Sequence, residues 1–160
     1  MPVVNENFDA KKVVLSGSNL IEASAGTGKT HSIALLVLRL IIEKGITIDK
    51  ILLVTFTRDA AAEMKLRVRS FIRRALNILR GETGETDESI VKVVQKIESE
   101  VAQRRLNAAL LMFDKAAIFT IHGFCSRILR EYAFESDRIF NTETMHPAEF
   151  DELQIGRAHV

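Results

Sequence analysis

The stretch Ala23-Ser24-Ala25-Gly26-Thr27-Gly28-Lys29-Thr30 constrains this chain more than any other. It separates the short apolar run Asn19–Ala23 from the longer apolar segment Ile33–Ile42. Two glycines in so tight a space call for a sharp turn, and the flanks call for a buried strand before it and a helix after it. A strand, a glycine-rich turn and a helix N-terminus together form a cradle of backbone N–H groups suited to a phosphate chain.

The order of residues matches the P-loop pattern G-x-x-x-x-G-K-[ST], with Ala23 standing where the first glycine belongs. Alanine adds only a methyl group but resists a positive φ. In this pattern Lys29 reaches the β- and γ-phosphates and the Thr30 hydroxyl takes a Mg²⁺ position, so ATP and Mg²⁺ are the expected ligands. Lys29 and Thr30 are the candidate catalytic residues, Ala23, Ser24, Ala25, Gly26, Thr27, Gly28, Lys29 and Thr30 the ATP-binding set, and Thr30 the metal ligand. The plainer alternative is a strand-to-helix turn with a solvated lysine.

Beyond the turn, strand and helix alternate. The helix through Ile33–Ile42 is apolar nearly all round and ends at Lys44-Gly45, a cation followed by a helix stop. Lys50–Thr57 is a continuous apolar run rich in β-branched residues, as in a parallel strand covered on both faces. Asp59 opens a second helix reaching about Arg80, and "GETGETDES" breaks it. Ile90–Phe113 reads as one or two amphipathic helices, "AAIFT" as a third strand and "IHGFCSRILREYAF" as a further helix. The expected class is α/β, a parallel sheet flanked by helices.

At 160 residues with 47% hydrophobic side chains, one compact core is expected. The net charge of +1 conceals an asymmetry: Arg58–Arg80 holds seven basic and two acidic residues, Gly81–Glu100 six acidic and two basic. The single cysteine, Cys125, precludes an internal disulfide and is read as packing, which fits a reducing, cytoplasmic setting. Neither a signal peptide nor a membrane span is legible.

A phosphate cradle alone does not define a function. Thr55-Phe56-Thr57 ends the second expected strand, where α/β sheets bind ligands. There Phe56 stacks a base while Thr55 and Thr57 bond phosphates, or Phe56 is core and the threonines are ordinary strand residues. Thr120 and His122 repeat the arrangement at the third strand's end, with Arg127 and Arg130 on the helix beyond. His122 alone reads more readily as a structural histidine.

Taken together, "ASAGTGKT", "ILLVTFTRDAAAEM" and "FTIHGFCSRIL" resemble motif I, motif Ia and the next DNA-contact motif of superfamily 1 helicases of the UvrD type. Within that group, "LSGSNLIEASAGTGKT" and "TIHGFCSRILREYAFES" look most like the beta subunits of exodeoxyribonuclease V. The resemblance covers about residues 15–140. It implies a RecA-like P-loop NTPase fold and an ATP-driven motor moving 3′ to 5′ on single-stranded DNA. It also implies duplex ends as substrate in double-strand-break repair and recombination, and assembly with gamma and alpha subunits. By this match Thr55, Phe56, Thr57, Thr120 and His122 fall in DNA-contacting motifs.

The pattern also departs from the family. No glutamine precedes the P-loop to read adenine, and no "DEFQD"-like acidic motif, arginine finger, second motor domain or nuclease follows. The expected layout is an N-terminal extension (residues 1–14), a partial first motor domain, 1A (15–140), the start of a following region (141–154) and a non-native tail (155–160). "IGRAHV" is the translation of ATCGGAAGAGCACACGTC, a common sequencing-adapter sequence, and a foreign tail would explain a motor domain ending before its catalytic acid; the alternative is an ordinary polar tail. Two other classes stay open: a non-catalytic nucleotide- or DNA-binding module, and a small P-loop kinase, against which the TFT and TIH segments argue.

Overall fold

A computed structural model describes residues 8–22, 28–82 and 87–135. The chain divides into two compact units, Met1–Ile121 and His122–Val160. The first holds α1 (Lys29–Lys44), β1 (Leu52–Thr55), α2 (Arg58–Leu79), α3 (Glu88–Val94), α4 (Ser99–Leu111) and β2 (Ala117–Thr120). The second is described through α5 (Ile121–Glu135), which begins at the residue after β2.

Four helices enclose the core of the first unit. From α1 come Leu35, Leu38, Ile41 and Ile42, and from α2 Val68, Phe71, Ile72 and Leu76, at the three- and four-residue spacings of one helical face. Ile90 and Val93 of α3, Leu106 of α4 and Phe113 close it.

The ends of α1 and α2 follow from local chemistry. Gly45 takes the left-handed conformation (φ 67°), and the Ile46 N–H returns to the Leu40 carbonyl, closing the helix. Arg105 of α4 donates to the Ile42 carbonyl, placing a cation on the negative end of α1. Its guanidinium lies 3.1–3.3 Å from where a β-carbon on residue 45 would sit, so this glycine serves both backbone and space. At α2, the Thr57 hydroxyl accepts from the Ala60 N–H at 3.1 Å, a side-chain N-cap.

Arg39 is the buried cation of the core, 4% exposed. It meets Glu43 through two bonds, Nε to Oε1 at 2.7 Å and Nη2 to Oε2 at 3.0 Å, and donates from Nη1 to the Ala10 and Val13 carbonyls at 2.8 Å. Lys96 adds bonds to the Lys11 carbonyl (2.7 Å) and to Glu43 (3.3 Å). Residues 9–13 are thereby fastened to α1 and the end of α3, and Ala10 joins the core. Burial pushes the Glu43 carboxyl up, but Arg39 and then Lys96 outweigh it and hold the group below its ordinary 4.5.

The sheet is smaller than the sequence suggests. β1 and β2 run parallel, pairing Leu52 with Ala117, Leu53 with Ile118, Val54 with Phe119 and Thr55 with Thr120. Among the described residues the architecture is mostly helical with this two-stranded parallel sheet. The strand expected over Asn19–Ala23 is not formed: residues 19–22 have no strand conformation, Leu20 is 89% exposed, and Ala23 lies outside the described residues. An apolar run becomes a strand only with a backbone partner, and β1 and β2 pair with each other alone among the described residues. Nor is the Lys50–Thr57 run covered on both faces. Leu53 packs on the core while Leu52 and Val54 stand exposed, since helices cover one face of the pair. The 90–113 segment resolves into two helices, broken between Val94 and Ser99.

Candidate nucleotide and nucleic-acid site

Of the expected phosphate cradle, Gly28, Lys29 and Thr30 are described, and Ala23, Ser24, Ala25, Gly26 and Thr27 lie outside the described residues. Gly28 is the N-cap of α1 at φ 79°, a conformation that side-chain-bearing residues adopt at a cost. Its carbonyl accepts the first helical bond, from Ser32 at 2.9 Å. The first turn has neither a side-chain cap nor an acidic residue, so its positive dipole end is not neutralised locally. Lys29 is exposed and Thr30 half-buried on that turn. A helix N-terminus, an ammonium and a hydroxyl form a donor set that suits a phosphate chain.

Mg²⁺ demands less of the protein. It keeps several waters and is bound through substrate phosphates together with one or two carboxylates, and of such a set the described residues offer the Thr30 hydroxyl at this turn. Among the described residues, no group of three or more His, Cys, Asp or Glu is gathered for a metal.

The first turn of α1 is braced by a contact that the sequence did not reveal. His31 Nε2 lies 2.8 Å from Asp87 Oδ2, and the His31 ring meets Phe71 edge-on at 5.0 Å between centroids. Asp87 also caps α3, its Oδ1 accepting from the Ser89 N–H at 2.8 Å. Burial pushes the Asp87 carboxyl up, but His31 and the Ser89 N–H outweigh it and hold it below its ordinary 3.8. The two partners are 56 residues apart, and no local pattern announces them.

The second cluster lies at the C-terminal edge of the sheet. Parallel register sets Thr55 beside Thr120, and Phe56 and Thr57 follow directly. Phe56 is 88% exposed, which removes the alternative that it is core in this chain. The Thr55 hydroxyl donates to the Thr57 carbonyl at 3.1 Å. The Thr57 hydroxyl accepts from Ala60 and keeps its own proton to give to an acceptor. Thr57 is therefore a helix cap as well as a candidate phosphate ligand. An exposed ring flanked by hydroxyls suits a stacked base with its phosphate alongside.

His122 belongs to the second unit, in the first turn of α5, and is exposed. A satisfied core histidine it is not. Cys125, read from sequence as packing, is exposed as well, because the face of α5 that carries it is not covered in that unit. No helix among the described residues is long and apolar enough to cross a membrane.

The profile of the UvrD/REP helicase N-terminal domain matches residues 4–155. The RecBCD enzyme subunit RecB of Escherichia coli K12 is 40% identical over 153 residues, covering 89% of this chain and 13% of that protein. The subunit of the same name from Haemophilus influenzae Rd is 40% identical over 143 residues, 81% of this chain and 12% of the relative. That of Mycobacterium tuberculosis H37Rv is 38% identical over 128 residues, 79% and 12% respectively. The chain thus spans about an eighth of the length of these relatives.

Proposed function

The chain belongs to the UvrD/REP helicase N-terminal domain family, and on that premise we propose that it is the ATP-binding N-terminal part of a RecB-like, ATP-dependent 3′–5′ DNA helicase and exonuclease subunit. It would act in double-strand-break repair and recombination, with RecC-like (gamma) and RecD-like (alpha) subunits as partners in a heterotrimer. Residues 15–140 are the partial first motor domain in this reading, residues 1–14 an extension, 141–154 the start of the next region and 155–160 a non-native tail. The observation that carries it is the register pairing Thr55 with Thr120, which puts two sequence-distant family motifs at one sheet edge beside an exposed Phe56.

In this function Lys29 and the N-terminal turn of α1 hold the β- and γ-phosphates of ATP, and Thr30 offers its hydroxyl to Mg²⁺. Bound Mg²⁺ supplies charge neutralisation on the phosphates. Phe56 stacks a base of single-stranded DNA, and Thr57 and Thr120 give hydroxyls to its backbone. Thr55 orders the turn through Thr57, and His122 is a DNA-contact candidate of the second unit, taken by itself.

Steady-state ATP hydrolysis by the full-length protein, with and without single-stranded DNA, tests this. Hydrolysis stimulated by DNA is expected, and Lys29→Ala should abolish it while circular dichroism stays unchanged, because an exposed side chain is lost. Near-wild-type turnover in the folded variant would reject the phosphate site. Transfer to a small acceptor would favour a kinase, and binding without turnover a non-catalytic module.

A further inference from the structure

The charge asymmetry of the sequence becomes a geometric feature on α2. Arg58, Lys65, Arg69, Arg73 and Arg80 are separated by seven, four, four and seven residues, spacings that return to the same side of an α-helix. All five are exposed. The stripe runs from the first residue of α2 to its C-cap, roughly 33 Å at 1.5 Å per residue. The two acids of the helix lie off it: Asp59 is a hundred degrees round from Arg58, and Glu63 pairs at 3.0 Å with Arg67 on the far side.

Two members of the stripe, Arg69 and Arg80, are held in place. The Arg69 guanidinium lies 5.4 Å from the centre of the Phe113 ring, and Arg80 bonds Asn107 of α4 at 3.3 Å. Arg58, Lys65 and Arg73 have no ion-pair or hydrogen-bond partner among the described residues. A row of same-sign charges costs self-repulsion in the folded state, and a bound polyanion relieves it.

We propose that this face of α2 is a track for the phosphate backbone of single-stranded DNA, continuing outward from the sheet edge. It rests on the reading of that edge as a DNA site, because Arg58 follows Thr57 directly and begins the stripe where the base-stacking residue ends. The occupant is a single strand because the track is continuous with an exposed ring that needs an unpaired base. Guanidinium and ammonium groups neutralise its phosphates without reading sequence.

The test is a salt series of single-strand affinity on the full-length protein, comparing wild type with the combined variant Arg58→Gln, Lys65→Gln, Arg73→Gln. Arg69 and Arg80 stay, so the Phe113 and Asn107 contacts survive. Each lost phosphate contact removes about 0.7 from the slope of log affinity against log salt, so the slope should flatten by about 2. Phe56→Ala separates the two readings: it should weaken binding at every salt concentration and leave the slope unchanged. If Phe56→Ala has no effect while the triple variant flattens the slope, the edge fails and the track stands. An unchanged slope in the triple variant overturns the track, even if subunit assembly is lost. So does a change confined to blunt duplex, or an equal change per charge in the control Arg67→Gln, Arg74→Gln on the other side of α2.

Discussion

Phe56 shows how a single exposure value separates two chemistries. In a core, truncating a phenylalanine costs about 3–5 kcal/mol of stability. At 88% exposure that penalty has no source, so Phe56→Ala should leave the denaturation midpoint nearly unchanged. If the ring stacks a base, the same variant should lose about 1–3 kcal/mol of single-strand affinity with little sequence dependence. Titration with a labelled oligonucleotide beside a urea melt reads both quantities, and unchanged affinity in the folded variant would remove Phe56 from the DNA site. Thr57 has to be read differently. Its hydroxyl caps α2, so Thr57→Ala should cost about 1 kcal/mol of stability whatever DNA does, and Thr57→Ser, which keeps the cap, is the cleaner probe.

Among the elements, α1 carries two braces, one at each end. At its start Asp87 serves two helices, capping α3 while holding His31. Asp87→Ser keeps a cap for Ser89 but is too short to reach His31. If that brace positions Lys29 and Thr30, this variant should raise the KM for ATP several-fold in the full-length protein and barely move its melting temperature. An unchanged KM would make the contact purely structural. Near the other end, Glu43 faces Arg39 and Lys96. Its folded pKa is depressed, so its contribution is complete above its unfolded value near 4.5 and fades as pH falls through the lower folded value. Glu43→Gln should therefore lower stability at neutral pH and flatten its acid dependence below about pH 4.5, measured by denaturant melts from pH 3 to 7. Removing one partner of a buried pair costs about 3–5 kcal/mol, and the two backbone carbonyls that Arg39 retains put the expected loss at the low end.

Element ends were legible wherever the signal is local. Lys44-Gly45 stopped α1 as read and Asp59 marked the opening of α2 to within a residue, while α3 begins two residues earlier than read, at Glu88 within "GETGETDES". Contacts between distant residues were not legible. Arg39 reads in the sequence only as an interruption of an apolar run; its carbonyl partners lie 29 and 26 residues upstream, although the Arg39–Glu43 spacing of four was open to inspection. The candidate site divides along the same line: its motifs are contiguous and readable, whereas the pairing of Thr55 with Thr120 required the fold.

For the whole molecule, the two-stranded sheet has one face packed on the core and one that is open. The apolar character of the run was legible, but burial of its second face is a property of neighbours, which composition does not encode. Leu52 and Val54 form an exposed apolar face on the paired strands. The 160-residue chain alone should therefore associate in a concentration-dependent way. Leu52→Lys with Val54→Lys should shift sedimentation toward monomer with little loss of stability, since neither side chain is in the core. Persistent association in that variant would place the sticky surface elsewhere.

Lys96 grips the Lys11 carbonyl across 85 positions of sequence. On the ribosome, residues 9–13 are made before Lys96, and this tether does not exist until the stretch around Lys96 has been made. At about 5–20 residues per second that delay is about 4–17 s. Throughout it, the Ala10 and Val13 carbonyls can find Arg39 but not the second cation. Residues 9–13 are thus secured in two stages, first by Arg39 and only later by Lys96.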